Sequence, residues 1–271
     1  MRRAIALAIA GIGALALSAC AHIPAMQPHA HYVAMGSSYA AGTSIESTKP
    51  GTPARCGRSP RNYASLLASR LSLDLIDVSC GGATTANVLG RWSELAPQVE
   101  AVTAQTRLVT ITIGGNDVGY VRNLMAGTCP AGSPRCMPPQ VVTEADWSKL
   151  GIALHGIVQQ VRTRSPNARI VFVDYIRLIP ERGTCAALGL RADAAAASRK
   201  AWDRLGAITA EVARSDHADL LSAGKLSGTH TPCDKEPWGV GAPGSAPGVP
   251  WHPNAAGHAA IAQALVRMLS N

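Results

Sequence analysis

Aromatic side chains are scarce, 4% of the 271 residues, and the only phenylalanine is Phe172. A platform of stacked rings for single-stranded nucleic acid therefore lacks its material. Charged residues are also few, at 15%, which excludes a charge-rich disordered chain and a coiled coil. Basic residues outnumber acidic ones, 25 to 17, for a formal charge of +8, yet no run of five or six Lys or Arg occurs. The surplus reads as solubility or a preference for anionic surfaces, and no nucleic-acid partner is expected. No C-x-x-C pair exists among the seven cysteines, so a zinc centre is disfavoured and no metal is expected. What the chain does have is apolar residues, 47%, enough to bury a core in one large or two small domains.

The first residues read as an export signal. Arg2 and Arg3 precede an uncharged stretch, residues 4–19, that is too short and too rich in Ala and Gly for a membrane span. Removing it leaves 23 basic and 17 acidic residues, a net +6. The stretch ends Leu17-Ser18-Ala19-Cys20, which resembles the bacterial lipoprotein signal, in which the cysteine is lipidated and becomes the first mature residue. The expectation is a signal peptide over residues 1–19, lipidation of Cys20, and a Pro-containing tether to residue 31. That makes the membrane a partner through acyl chains, each buried methylene contributing about 0.8 kcal/mol. Ala21 in place of Asp after the cysteine resembles an outer-membrane address in a Gram-negative host. An ordinary signal peptide, cut nearby with Cys20 discarded, gives a secreted protein instead.

Six cysteines then remain, Cys56, Cys80, Cys129, Cys136, Cys185 and Cys233. An even number in an exported chain implies disulfides. The residues leave the pairing open, although the short separation makes Cys129 with Cys136 a natural clip.

Strand and helix patterns alternate along residues 32–271. Residues 32–35, 73–78, 108–113 and 169–174 read as strands, the last two as β-branched runs buried on both faces. Residues 62–71, 145–164, 191–214 and 255–269 carry apolar side chains at helical spacing. Such alternation predicts one α/β domain with a doubly wound parallel sheet and a ligand site at the carboxyl ends of the strands. Two stretches fit no regular element. Residues 120–140 read as a stapled loop, and residues 225–250, rich in Gly and Pro, as a flexible linker or a surface loop tied down by Cys233.

Four segments fall at the strand ends, where chemistry would sit. Gly36-Ser37-Ser38-Tyr39 follows the first strand and exposes a serine on a strand-to-helix turn. Gly81-Gly82 follows the second, where glycine lets backbone approach a ligand. Gly114-Gly115-Asn116-Asp117 follows the third and offers an amide donor. Trp251-His252-Pro253-Asn254 precedes the last helix, placed so that chain reversal returns the histidine over the sheet. Singly each has a plain reading as a cap, a tight turn, an Asx turn or a structural histidine.

In this order and placement the four segments resemble those of the SGNH (GDSL) hydrolase superfamily, most closely its secreted esterases and lipases with three disulfides. The resemblance covers nearly the whole mature chain. It implies a flavodoxin-like three-layer sandwich, Ser38 as nucleophile, His252 as base, and an oxyanion hole made by the Ser38 N–H, Gly82 and Asn116. It also implies sequential pairing, Cys56 with Cys80, Cys129 with Cys136 and Cys185 with Cys233. Two positions depart from the family. Ser37 stands where the Asp before the nucleophile is usual, and Val249 stands three residues before the histidine, where the triad Asp is usual. The resemblance then implies a Ser-His dyad with the Val249 carbonyl orienting the ring, the rival acids being Asp234 and Glu236. The expected activity is carboxylic ester hydrolysis by a monomer through an acyl-enzyme, with no cofactor and with a small acyl ester or lipid as substrate. The alternatives are a glycan O-deacetylase and an inactive envelope-binding lipoprotein that kept the fold.

Overall fold

A computed structural model describes residues 25–129, 133 and 136–270. The expected signal peptide and Cys20 lie outside the described residues. Five strands form one sheet, β1 (His31–Gly36), β2 (Asp74–Asp77), β3 (Thr106–Thr112), β4 (Arg169–Val173) and β5 (Asp219–Leu221). Their order is β2-β1-β3-β4-β5 and every pairing is parallel. The three inner strands read HYVAMG, TRLVTIT and RIVFV and are buried almost throughout. That is the composition a strand needs when helices cover both its faces. The edge strands are short and begin with Asp, which leaves little open edge for another chain to pair with.

Among the described residues eight α-helices connect and flank the strands. In chain order they are α1 (Ser38–Ala41), α2 (Tyr63–Leu71), α3 (Thr85–Leu89), α4 (Tyr120–Thr128), α5 (Glu144–Arg164), α6 (Ala192–Ser215), α7 (Ala223–Leu226) and α8 (Ala255–Ser270). Local sequence marks several ends. Asn62 caps α2 by accepting from the Ser65 N–H at 2.8 Å, and Thr143 with Asp146 forms a reciprocal capping box at the start of α5. Arg162 and Arg164 lie in the last turn of α5, where positive charge is favoured by the negative end of the helix dipole. Helices α2 and α8 pack together, while α3, α5, α6 and α4 form a second contiguous layer. Right-handed crossovers place these two layers on opposite faces of the sheet. The chain reverses its winding between β1 and β3, the position at the carboxyl edge where sheets of this kind bind their ligands.

Several expectations are corrected. Residues 120–128, read as loop, are the helix α4, with Tyr120, Leu124 and Gly127 buried at helical spacing. The prolines and cysteines downstream had masked that short period. Strand β5 has no signature in the sequence, because three residues carry no detectable alternation. Of the segment read as a tether, residues 25–31 pack on the sheet's far end. The Met26 N–H donates to the Leu269 carbonyl at 3.0 Å, the His29 N–H to that of Ser72 at 2.7 Å, and His31 already belongs to β1. Of the two readings of the Gly- and Pro-rich stretch before α8, the surface loop tied by Cys233 holds and the linker does not. Cys185–Cys233 anchors it, and Trp238 N–H donates to the His230 carbonyl at 2.9 Å. Cys56–Cys80 and Cys129–Cys136 complete the sequential pairing. Among the described residues no helix is long and apolar enough to cross a membrane.

Candidate active site

The site begins at Gly36, the last residue of β1. Its φ of 138° and the Thr112 carbonyl beside it leave no room for a Cβ, so only glycine lets β1 and β3 close together here. The buried Gln98 side chain grips this peptide twice, accepting from the Gly36 N–H at 2.7 Å and donating to its carbonyl at 3.0 Å. Ser37 N–H then bonds the Thr112 carbonyl at 2.9 Å, and Cys80 N–H bonds the Gly36 carbonyl at 3.0 Å. These bonds fix the start of α1, where Ser38 is the first residue. Gly42 in the left-handed region ends α1 after four residues.

Ser38 Oγ lies 2.8 Å from His252 Nε2, although 214 residues separate the two. His252 Nδ1 lies 2.7 Å from the Pro250 carbonyl. A carbonyl can only accept, so the proton sits on Nδ1 and Nε2 keeps the lone pair that the serine hydroxyl meets. The imidazole is 7% exposed; burial lowers its pKa, and the bond to Pro250 opposes that in part. The acceptor is therefore the Pro250 carbonyl and not the expected Val249 carbonyl. Trp251 adopts a left-handed φ of 63°, a turn that brings the carbonyl two residues before the histidine under the ring. Val249 is turned outward instead, its N–H and carbonyl both engaged by the Ser44 hydroxyl, at 3.1 and 3.4 Å. The rival acids are engaged or exposed as well. Asp234 accepts from the Thr231 N–H and hydroxyl, both at 2.7 Å, Glu236 is exposed, and among the described residues neither bonds His252.

The two remaining loops follow β2 and β3, the strands on either side of β1, and Asn116 ties one to the other. Gly82 is exposed with φ of 82°, and its N–H has no hydrogen-bond partner among the described residues; nor has that of Ser38. Asn116 donates one amide hydrogen to the Ala83 carbonyl at 2.9 Å, which orients the group and leaves the second hydrogen for a ligand. Next to it, the Asp117 carboxylate accepts from the Thr85 N–H at 3.1 Å and from its hydroxyl at 2.5 Å, locking the β3 loop to the start of α3. Burial raises the Asp117 pKa against these bonds. The Trp92 indole would stand 3.5 Å from a Cβ on Gly82, and the Arg55 guanidinium covers that ring at 4.2 Å while pairing with Glu94.

Sequence reasoning missed the layer beneath. Tyr175 follows β4, accepts from the Gly115 N–H at 2.8 Å, and sets its ring, tilted by 47°, 4.5 Å from that of Tyr39. Tyr39 in turn lies 5.2 Å from the His252 ring. Gln98, Tyr175 and Pro250 belong to no motif that a sequence displays. Tyr39 stood inside one without a role. Among the described residues no group of three His, Cys, Asp or Glu is placed to hold a metal.

A model of the GDSL-like lipase/acylhydrolase family matches residues 34–260. The chain is 33% identical over 246 residues to a lipase of Streptomyces rimosus, covering 88% of this chain and 87% of that protein. It is 34% identical over 195 residues to lipase 2 of Streptomyces coelicolor, an alignment spanning 66% of this chain and 65% of the relative. Among solved structures, phospholipase A1 of Streptomyces albidoflavus superposes with a TM-score of 0.73 at 26% identity, over 90% of this chain and all of that one.

Proposed function

The chain belongs to the GDSL-like lipase/acylhydrolase family and is a carboxylic ester hydrolase, and from that premise we propose a Ser-His enzyme of the cell envelope. Ser38 is the nucleophile and His252 its base. The single observation carrying this reading is the Ser38 Oγ to His252 Nε2 contact of 2.8 Å, with the opposite ring nitrogen on a carbonyl. His252 takes the hydroxyl proton as Oγ adds to the ester carbonyl carbon. The resulting oxyanion is met by the N–H groups of Ser38 and Gly82 and by the free Asn116 amide hydrogen. The imidazolium then returns the proton to the departing alcohol, and water hydrolyses the acyl-enzyme by the same steps reversed. A neutral carbonyl orients the ring as a carboxylate would but lends less stabilisation to the imidazolium.

Acyl esters, lipid or small, are the proposed substrates; the similarity to a phospholipase A1 and to lipases supports that class. Export is supported by the three disulfides and by the signal-like residues 1–19, with Cys20 as the proposed lipid attachment and a monomer as the working unit. Hydrolysis of p-nitrophenyl esters from acetate to palmitate tests the activity. Ser38→Ala should abolish turnover with the fold retained, whereas Ser37→Ala should keep most of it. The reverse pattern would assign the nucleophile to Ser37. Mass spectrometry of the mature N-terminus tests the anchor, and an unacylated wild type would remove it.

A further inference from the structure

The usual carboxylate reaches its histidine through a side chain, but here the acceptor carbonyl and the ring belong to adjacent turns of one loop, residues 250 and 252. They move together. Their bond therefore fixes the tautomer without fixing where the ring stands relative to Ser38. Trp251, between them, holds a left-handed φ of 63° that a bulky side chain adopts only under restraint from its surroundings. Something outside the loop must hold it against α1.

Tyr39 is placed to do so. It follows Ser38 in the chain, so whatever it binds is referenced to the nucleophile itself. Its hydroxyl donates to the Trp251 carbonyl at 2.5 Å, deep in the structure, and its ring lies 5.2 Å from the imidazole. Tyr39 is 3% exposed and backed at 4.5 Å by Tyr175, which is itself tied to the Gly115 N–H, so the ring has no room to swing. A weaker second bridge joins the same two segments at the surface, where the Ser44 hydroxyl meets the Val249 N–H at 3.1 Å.

We propose that Tyr39 is a positioning residue that substitutes for the missing triad acid, clamping the His252 loop to the nucleophile's own helix through the Trp251 carbonyl. This rests on the Ser-His reading above. It differs from a plain packing role in what it controls: the distance and angle between Nε2 and Oγ, and the strength with which the Pro250 carbonyl supports the imidazolium.

The test is Tyr39→Phe beside Tyr32→Phe, a control in which an equally buried hydroxyl, bonded to Thr110 at 2.6 Å inside the sheet, is removed. Both variants are assayed on p-nitrophenyl butyrate between about pH 5 and 9, with thermal unfolding followed in parallel. Tyr39→Phe should lower kcat on the order of 10- to 100-fold with KM within about threefold, since misplacement at a reacting pair acts on the rate. Its acid limb should move to lower pH, because the carbonyl that favours protonated His252 is no longer held. Asp117 on the β3 loop, its pKa raised by burial, titrates alike in wild type and variant and so drops out of the difference, and the other neighbours do not blur this limb. Burial holds Tyr39 well above its ordinary range and Tyr175 at about 12, and keeps His258 neutral down to about 3. Tyr32→Phe should change stability alone. The proposal is overturned if Tyr39→Phe retains wild-type kcat and pH profile and loses only the stability that Tyr32→Phe loses. Should Tyr39→Phe not fold, Ser44→Ala decides in its place: a kcat lowered about two- to fivefold at constant KM supports the clamp, and no change rejects it. Ser38→Ala in the same series separates the two readings. An active Ser38→Ala refutes the Ser-His mechanism, while an inactive one beside an unaffected Tyr39→Phe refutes the clamp only.

Discussion

Burial lowers the proton affinity of His252 below that of an ordinary imidazole, and the Pro250 carbonyl restores only part of it. In the proposed mechanism the neutral ring is the active form. Activity is therefore present above the folded pKa and lost as pH falls through it, and the acid limb of kcat/KM should lie below about pH 6.5, the unperturbed value. A pH-rate profile with its limb above that value would contradict the burial argument. Asn116 invites a second measurement at this scale. Its amide gives one hydrogen to Ala83 and keeps the other, so Asn116→Ala should lower kcat on the order of 10² to 10³ fold with little change in KM. A loss confined to KM would place Asn116 in substrate binding instead. Both residues were legible in the sequence because each stands in a short motif at a strand end. Pro250 was not, since any residue supplies a carbonyl and only the turn at Trp251 selects which one faces the ring.

The loop before α8 is the element on which the histidine depends. It is held by Cys185–Cys233, by the Val240 N–H on the His252 carbonyl at 2.9 Å, and by Asn254, whose side chain donates to the Pro237 carbonyl at 2.7 Å and accepts from the Gly257 N–H at 3.0 Å at the start of α8. Asp234 serves the same loop internally through Thr231. Asp234→Asn and Glu236→Gln should therefore each cost less than about tenfold in p-nitrophenyl acetate hydrolysis, where a true triad acid costs nearer 10⁴. Collapse of activity in either variant, with circular dichroism unchanged, would name that residue as the missing acid. Gly and Pro content marked this stretch as irregular but could not tell a linker from a tied loop, because the ties are made by partners distant in sequence. The long helices α5 and α6 were legible almost to their ends, since their apolar spacing repeats over many turns.

For the whole molecule, the packing of α8 on α2 places a histidine where charge cannot be solvated. His258 is fully buried, stacks on Tyr63 at 5.9 Å, and accepts the Tyr63 N–H on Nδ1 at 3.1 Å. Burial, with a smaller contribution from His252, lowers its pKa to about 3. The unfolded chain binds a proton there near pH 6.5, so stability contributed by the neutral form is complete above that pH and declines as the pH falls towards 3. The decline amounts to about 1.4 kcal/mol per pH unit from this one group. Urea unfolding at about pH 7, 5.5 and 4.5 should show that slope, and His258→Gln, which keeps an acceptor for Tyr63, should flatten it. An equal slope in the variant would assign the acid sensitivity elsewhere.

Composition and strand-helix alternation by themselves determined an α/β chain with a parallel sheet, because burial on both faces and helical periodicity are written into consecutive residues. Motif order determined the four segments that meet at the sheet's carboxyl edge and, through the family they resemble, the cysteine pairing. Only the tertiary structure decided what lies behind them. The grip of Gln98 on Gly36, the Tyr175 bond to Gly115, the Tyr39 hydroxyl on Trp251 and the choice of Pro250 over Val249 all join positions far apart in the chain or hang on one backbone angle. Local patterns encode which face a residue turns inward; they do not encode which distant group it meets there, and that meeting is what aligns Ser38 with His252.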